Sequence, residues 1–183
     1  MILPISGGPS LIHAICTLYG NWPPGDPRGW RSRRHKRHSS GDYKDPPPPG
    51  EHEGLHRHAR SSMTTAPARL RPDQYPLVGR AFLWKRNALG CSARILSCGP
   101  THLHVLFDGP AGDATPVLGK CKQYSSLKLA DHRGQLWGER AKIIRVRDLP
   151  HARNTFAYIR DHALKEGAWI WRCDRDARPE RAR

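Results

Sequence analysis

Residues 91–107 read CSARILSCGPTHLHVLF, two stretches of alternating apolar and polar character on either side of Gly99-Pro100. The dipeptide turns the chain, so the segment predicts two adjacent antiparallel strands joined by a tight turn. In the second strand one apolar residue separates His102 from His104. Side chains alternate across a strand, so both imidazoles point to the same face, close enough for one divalent cation to bridge them. A pair of strand histidines is more commonly just polar surface. What sets this pair apart is a tyrosine a short way downstream, Tyr124, in the basic context KCKQYSSLKL, which would bring a phenol hydroxyl near a phosphate. His56-Arg57-His58 has the same spacing, but its middle residue is charged and its surroundings are loop-like. With His35, His38 and His52 it reads as a solvated basic tract.

Working outward, LIHAICTLY (residues 11–19) predicts a first strand bounded by Pro9 and Gly20. An irregular region follows from Asn21 to about Pro67, holding WPPGDPRGW, the basic run RSRRHKRH, four consecutive prolines and a His-rich patch. Arg69 to Lys85 has helical spacing at Leu77, Val78, Phe82 and Leu83, opposed by Pro76 and Gly79. Beyond the two central strands, Thr115 caps a helix with Pro116 at its first position. Val117, Leu118 and Cys121 form its apolar stripe, Tyr124 lies on the same side, and the helix is expected to end near Gly134. KIIRV (142–146) predicts a strand. Asp148 caps a last helix with Leu149, Ala152, Phe156, Ile159 and Ala163 on one stripe, and Gly167 stops it. The order suits an α+β fold: a ferredoxin-like, four-stranded antiparallel sheet with helices packed on one face and an added C-terminal helix. It predicts one domain over 11–171, a long basic, Pro- and His-rich loop at 21–67 within it, and a basic tail at 172–183.

Among 183 residues, Lys and Arg outnumber Asp and Glu by 31 to 16, a net charge of +15, which attracts a polyanion. Six Trp and five Tyr could stack on bases, so nucleic acid is favoured over a membrane surface. The five cysteines contain no CxxC pair, which argues against a disulfide framework or a zinc ribbon and for reduced thiols in a cytoplasmic protein. The amino-terminal segment lacks a basic start and is broken by Pro4, Gly7, Gly8 and Pro9, unlike a signal peptide. No stretch approaches the roughly 20 apolar residues of a membrane span. The expected setting is the bacterial cytoplasm, with no membrane partner.

GPTHLHVLF resembles the His-hydrophobe-His motif of the HUH endonuclease superfamily. LGKCKQYSSLKL resembles the helix that follows it in REP-associated tyrosine transposases and the smaller single-strand insertion-sequence transposases. LYGNWPPGDPRGWRSRRHKRH is similar to the strand-then-loop segment of one branch of these proteins, and QLWGERAKIIRVRD with LPHARNTFAYIRDHALKEGAW resembles their closing strand and helix, so the similarity runs from about Leu11 to Trp171.

The resemblance implies a DNA transposase and endonuclease that cleaves and rejoins single-stranded DNA carrying a hairpin. A divalent ion, Mg²⁺ or Mn²⁺, would be held by His102 and His104 while Tyr124 attacks the phosphate, giving a 5′-phosphotyrosine intermediate and a free 3′-hydroxyl without a nucleotide cofactor. In some relatives a Gln one helical turn after the tyrosine is the third ligand. Here that position is Lys128, which cannot bind a cation while protonated. Gln123, Asp108, His13 and water remain open as the third ligand, and Lys128, with Lys122, becomes a phosphate contact. Arg28, Arg31, Arg33, Arg34, Lys36 and Arg37 would grip the backbone of the hairpin, with Trp22 or Trp30 stacking on an unpaired base. The sequence leaves open a monomer or a homodimer exchanging tyrosine helices. Two other readings stand beside this one: a non-catalytic single-strand-binding protein on the same fold, and a metal buffer built on eleven histidines.

Overall fold

The computed structural model describes residues 10–30, 38–40, 45–110, 112–129 and 131–173. Strand β1 (Ser10–Leu18) is followed by helices α1 (Glu53–Ser61) and α2 (Gln74–Ala88), strands β2 (Ala93–Cys98) and β3 (His102–Gly109), helix α3 (Thr115–Leu127), strand β4 (Trp137–Arg145), helix α4 (Leu149–Glu166) and strand β5 (Trp169–Arg172). One antiparallel sheet runs in the order β4-β1-β3-β2-β5. The fold is α+β and ferredoxin-like.

Because β1 and β2 both pair antiparallel with β3, they run parallel to each other, as do β3 and β4 on either side of β1. Each parallel pair is joined by a crossover helix, α2 or α3, and right-handed crossovers place both helices on one face of such a sheet. The packing agrees. Ile12, Ala14, Cys16, Leu18, Leu96, Cys98, Leu103, Val105 and Phe107 of the strands share a cluster with Val78 and Phe82 of α2 and Leu118 and Cys121 of α3. The side chains of opposite parity face the other way: Leu11, Ile95 and Leu106 pack with Ala152 and Ile159 of α4. The added helix thus closes the second face of the sheet.

The sheet has five strands where the sequence predicts four. The fifth, WIWR, follows α4 after the left-handed Gly167 (φ 62°), which ends the helix, and it covers the β2 edge with Ile95↔Arg172 to Cys98↔Trp169 in register. Four residues carry too little pattern to be read as a strand.

Other boundaries move for local reasons. Helix α3 stops at Leu127 rather than near Gly134. Helix α2 begins at Gln74, so Pro76 falls in its first turn, where its missing N–H has no intrahelical acceptor to lose. Strand β4 begins at Trp137, five residues before the expected KIIRV. The His-rich patch expected as loop is helix α1, none of whose residues is buried. An i,i+4 pair from Glu53 to Arg57 at 2.8 Å supports it. Among the described residues no helix is long and apolar enough to cross a membrane.

Candidate metal centre and tyrosine

In register, Ile15 lies opposite His104 and Thr17 opposite His102, so both histidines project onto the face that α4 covers. The extended β3 backbone holds them with ring centroids 4.8 Å apart. Helix α4 brings a third imidazole, His162, with ring centroids 5.0 Å from His102 and 4.4 Å from His104. One ligand atom from each of His102, His104 and His162 lies within 4.8 Å of the others, a group able to hold a metal ion.

Neighbours orient these rings. His104 is buried, and its Nδ1 shares a 3.0 Å hydrogen bond with Nε2 of buried His13 on β1. The tautomer in which His104 Nδ1–H donates to His13 leaves His104 Nε2 with a lone pair. His102 Nδ1 is occupied in the same way by the Thr101 hydroxyl at 3.0 Å. Burial, then Lys142 and nearby histidines, lowers the His13 pKa to about 4, and burial with the neighbouring imidazoles pushes His104 well below the usual histidine range. His102 is lowered too, by burial first, partly offset by the Glu166 carboxylate. Neutral imidazoles at neutral pH are what a cation needs as ligands, so the donor set fits a divalent metal.

One helical turn before His162, Tyr158 stands on the same side of α4. Its hydroxyl is 3.2 Å from His162 Nε2, and its ring lies edge-on to His104 at 5.4 Å and to His13 at 6.1 Å. Tyr158 remains 44% exposed.

Tyr124 is elsewhere. It sits on α3, which packs on the opposite face of the sheet, and its ring stacks on Trp84 of α2 at 4.7 Å with Lys85 and Lys128 nearby at 5.8 and 5.3 Å. The β-sheet lies between it and the histidines, so the structure does not bring Tyr124 to the His102–His104 pair. The sequence reading missed both Tyr158 and His162. Their i,i+4 spacing was visible, but it was hidden by an apolar stripe that accounted for the helix without them.

The other expected residues divide. Gln123 is exposed on α3, away from the cluster, and Asp108 pairs with Arg94 at 2.7 Å. His13 joins the site by bonding His104 rather than as a member of the three-imidazole group. Arg28 grips the buried Asp26 carboxylate at 2.8 and 2.7 Å and lies 4.2 Å over Trp22, which ties down its own loop. Lys122 reaches the Gly138 and Glu139 carbonyls of β4. Lys128 is exposed. Trp30 is buried and set edge-on to His52 at 5.3 Å, while Trp22 is 45% exposed. Arg31, Arg33, Arg34, Lys36 and Arg37, like His35, lie outside the described residues.

No protein-family model matches the chain, and no curated protein matches it by sequence. Among solved structures it is similar to a REP-associated tyrosine transposase bound to a REP hairpin, with a TM-score of 0.52 and 13% identity over 90% of this chain and 73% of that one. At that identity the likeness establishes a shared fold.

Proposed function

We propose that this protein is a metal-dependent endonuclease and strand transferase for single-stranded DNA, with Tyr158 as its nucleophile and His102, His104 and His162 as its cation ligands. The observation that carries the reading is the Tyr158 hydroxyl, 3.2 Å from His162 Nε2 on the same helix, beside a three-imidazole cluster. Support for the substrate comes from the net charge of +15 and from the fold shared with a transposase whose solved structure holds a REP hairpin. The third-ligand position one turn after the nucleophile, which is a lysine if counted from Tyr124, is a histidine when counted from Tyr158.

His102, His104 and His162 would hold a divalent cation, which would supply Lewis-acid neutralisation of charge on the phosphate oxygens. The chain's own residues do the rest. Helix α4 fixes the Tyr158 ring against His104 and His13, so the hydroxyl is oriented before DNA arrives. In the tautomer with His162 Nε2–H donating to it, the phenol oxygen is held in place and gives up its proton to water as it attacks. That oxygen attacks phosphorus, an O–P bond forms, the bond to the 3′-oxygen breaks, and the 3′-oxygen leaves as a hydroxyl after taking a proton. The bond energy is kept in the 5′-phosphotyrosine, so a second strand's 3′-hydroxyl reverses the step and reseals without a nucleotide cofactor.

In this reading Arg31, Arg33, Arg34, Lys36, Arg37 and Lys128 contact the DNA backbone, the protein works in the cytoplasm, and 11–171 act as one catalytic domain. The test is incubation with Mn²⁺ and end-labelled hairpin oligonucleotides, followed by denaturing electrophoresis. A protein–DNA band carrying the 3′ label is expected from wild type and from Tyr124→Phe, and none from Tyr158→Phe or with EDTA. A band lost in Tyr124→Phe but kept in Tyr158→Phe would overturn the assignment. Chelator-insensitive binding without any band would favour a single-strand-binding module.

A further inference from the structure

The face of the sheet away from the histidines is covered by α2 and α3, and these helices, QYPLVGRAFLWKRNA and TPVLGKCKQYSSL, hold no aspartate or glutamate between them. Where they meet, Trp84 is 57% exposed although one face of its indole is stacked on Tyr124, with ring centroids 4.7 Å apart and planes 20° from parallel. The exposed area therefore belongs to the edge and the outer face of the indole. A large aromatic ring left in water forfeits the burial that ordinarily places tryptophan inside. Ammonium groups flank the stack: Lys85 Nζ lies 5.8 Å and Lys128 Nζ 5.3 Å from the centroid of the Tyr124 ring. One helical turn before Tyr124, Lys120 is exposed on the same side of α3, and one turn before Trp84, Arg80 is exposed on α2.

We infer that this α2–α3 face is a second, metal-independent binding site for single-stranded DNA, in which an unpaired base stacks on the outer face of Trp84 while Lys85 and Lys128 hold the flanking phosphates. It deepens the DNA-binding part of the proposed function and uses no residue of the metal centre. An indole already stacked on one side is held in place, so little freedom is lost when a base adds a further ring to the pile. Every base offers a π-face and every nucleotide a phosphate, so aromatic rings interleaved with cations match a single strand of any sequence. A duplex is a poorer match, because its bases are stacked on one another. A second copy of this chain also fits badly. A two-fold contact would set Lys85 and Lys128 against their own copies, and neither helix supplies a carboxylate to lie between them. Since the sheet separates the stack from Tyr158, a strand held here adds affinity and leaves the face of the histidines open.

The test follows a short, fluorescently labelled oligothymidylate binding to the full-length protein by anisotropy, with EDTA present throughout so that no cleavage occurs. Trp84→Ala is expected to bind about 5- to 100-fold more weakly than wild type, Trp84→Phe to keep most of the affinity, and the exposed Leu164→Ala on α4 to change nothing. A strand of the same length and charge made of abasic sugar-phosphates is expected to bind wild type and Trp84→Ala alike. Equal binding of oligothymidylate by Trp84→Ala and wild type overturns the inference. So does an equal loss on the abasic strand, which would give Trp84 a structural role only. A wild-type dimer that Trp84→Ala dissociates, with DNA affinity unchanged, overturns it in favour of a contact between copies of this chain. The two proposals fail separately: a wild type that binds through Trp84 but forms no phosphotyrosine band loses the chemistry and keeps this site, and a Tyr158-dependent band with binding indifferent to Trp84 does the reverse.

Discussion

Two tyrosines on two helices compete for one role, and the difference between them lies in their partners. Tyr124 is stacked on Trp84 between two lysines, an arrangement that suits an aromatic surface carrying positive charge. Tyr158 has imidazoles on the side facing the sheet. His13 shows how far the design of such a site reaches beyond its ligands. It accepts from His104 Nδ1 in the tautomer that frees His104 Nε2, and burial keeps it neutral and able to accept. Replacing it with the similarly shaped Phe should lower Co²⁺ affinity about 10- to 100-fold without unfolding the protein. Calorimetric titration of the metal-free protein with Co²⁺ checks this, and unchanged affinity would mean that packing alone orients His104. The histidine pair was legible from spacing because alternation is a property of the strand itself. The third imidazole was not, because nothing within β3 says which helix will lie over it.

At the scale of elements, α4 is the most clearly written in the sequence. The Asp148 side chain accepts from His151 N–H at 2.7 Å, and Gly167 takes the left-handed conformation that ends the helix, as the residues suggest. Helix α2 is the opposite case. Pro76 and Gly79 argue against it when read locally, and tertiary packing explains Gly79: a Cβ there would come within 2.4 Å of the Trp169 ring on β5. Gly79→Ala should therefore destabilise the protein by about 1–3 kcal/mol through overpacking, reversing the gain of roughly 1 kcal/mol that alanine brings to an open helix position. Thermal denaturation decides between the two signs. The contact also links α2 to the strand that the sequence did not announce, since WIWR becomes a strand by meeting the β2 edge and α2.

Over the whole molecule, a net charge of +15 on 183 residues sets how the proposed substrate is met. Binding of a single strand should weaken steeply with salt, each phosphate contact adding about −0.7 to the slope of log K against log salt. Lys128→Ala should make that slope shallower by about one such contact, whereas Arg28→Ala should leave it nearly unchanged because Arg28 is held by Asp26. Fluorescence anisotropy across a salt series reads both. The sequence by itself determined the alternation that puts His102 and His104 on one face, the caps of α4, the basic character and the β-α-β-β-α-β order, because each depends on neighbours a few residues apart. Only the tertiary structure decided which helix covers which face. Two right-handed crossovers send α2 and α3, with Tyr124, to one side of the sheet, while the chain leaving β4 carries α4, with Tyr158, His162 and Glu166, to the other. The side of a sheet on which a helix comes to rest is a consequence of strand order and burial across the whole chain, and no local spacing records it.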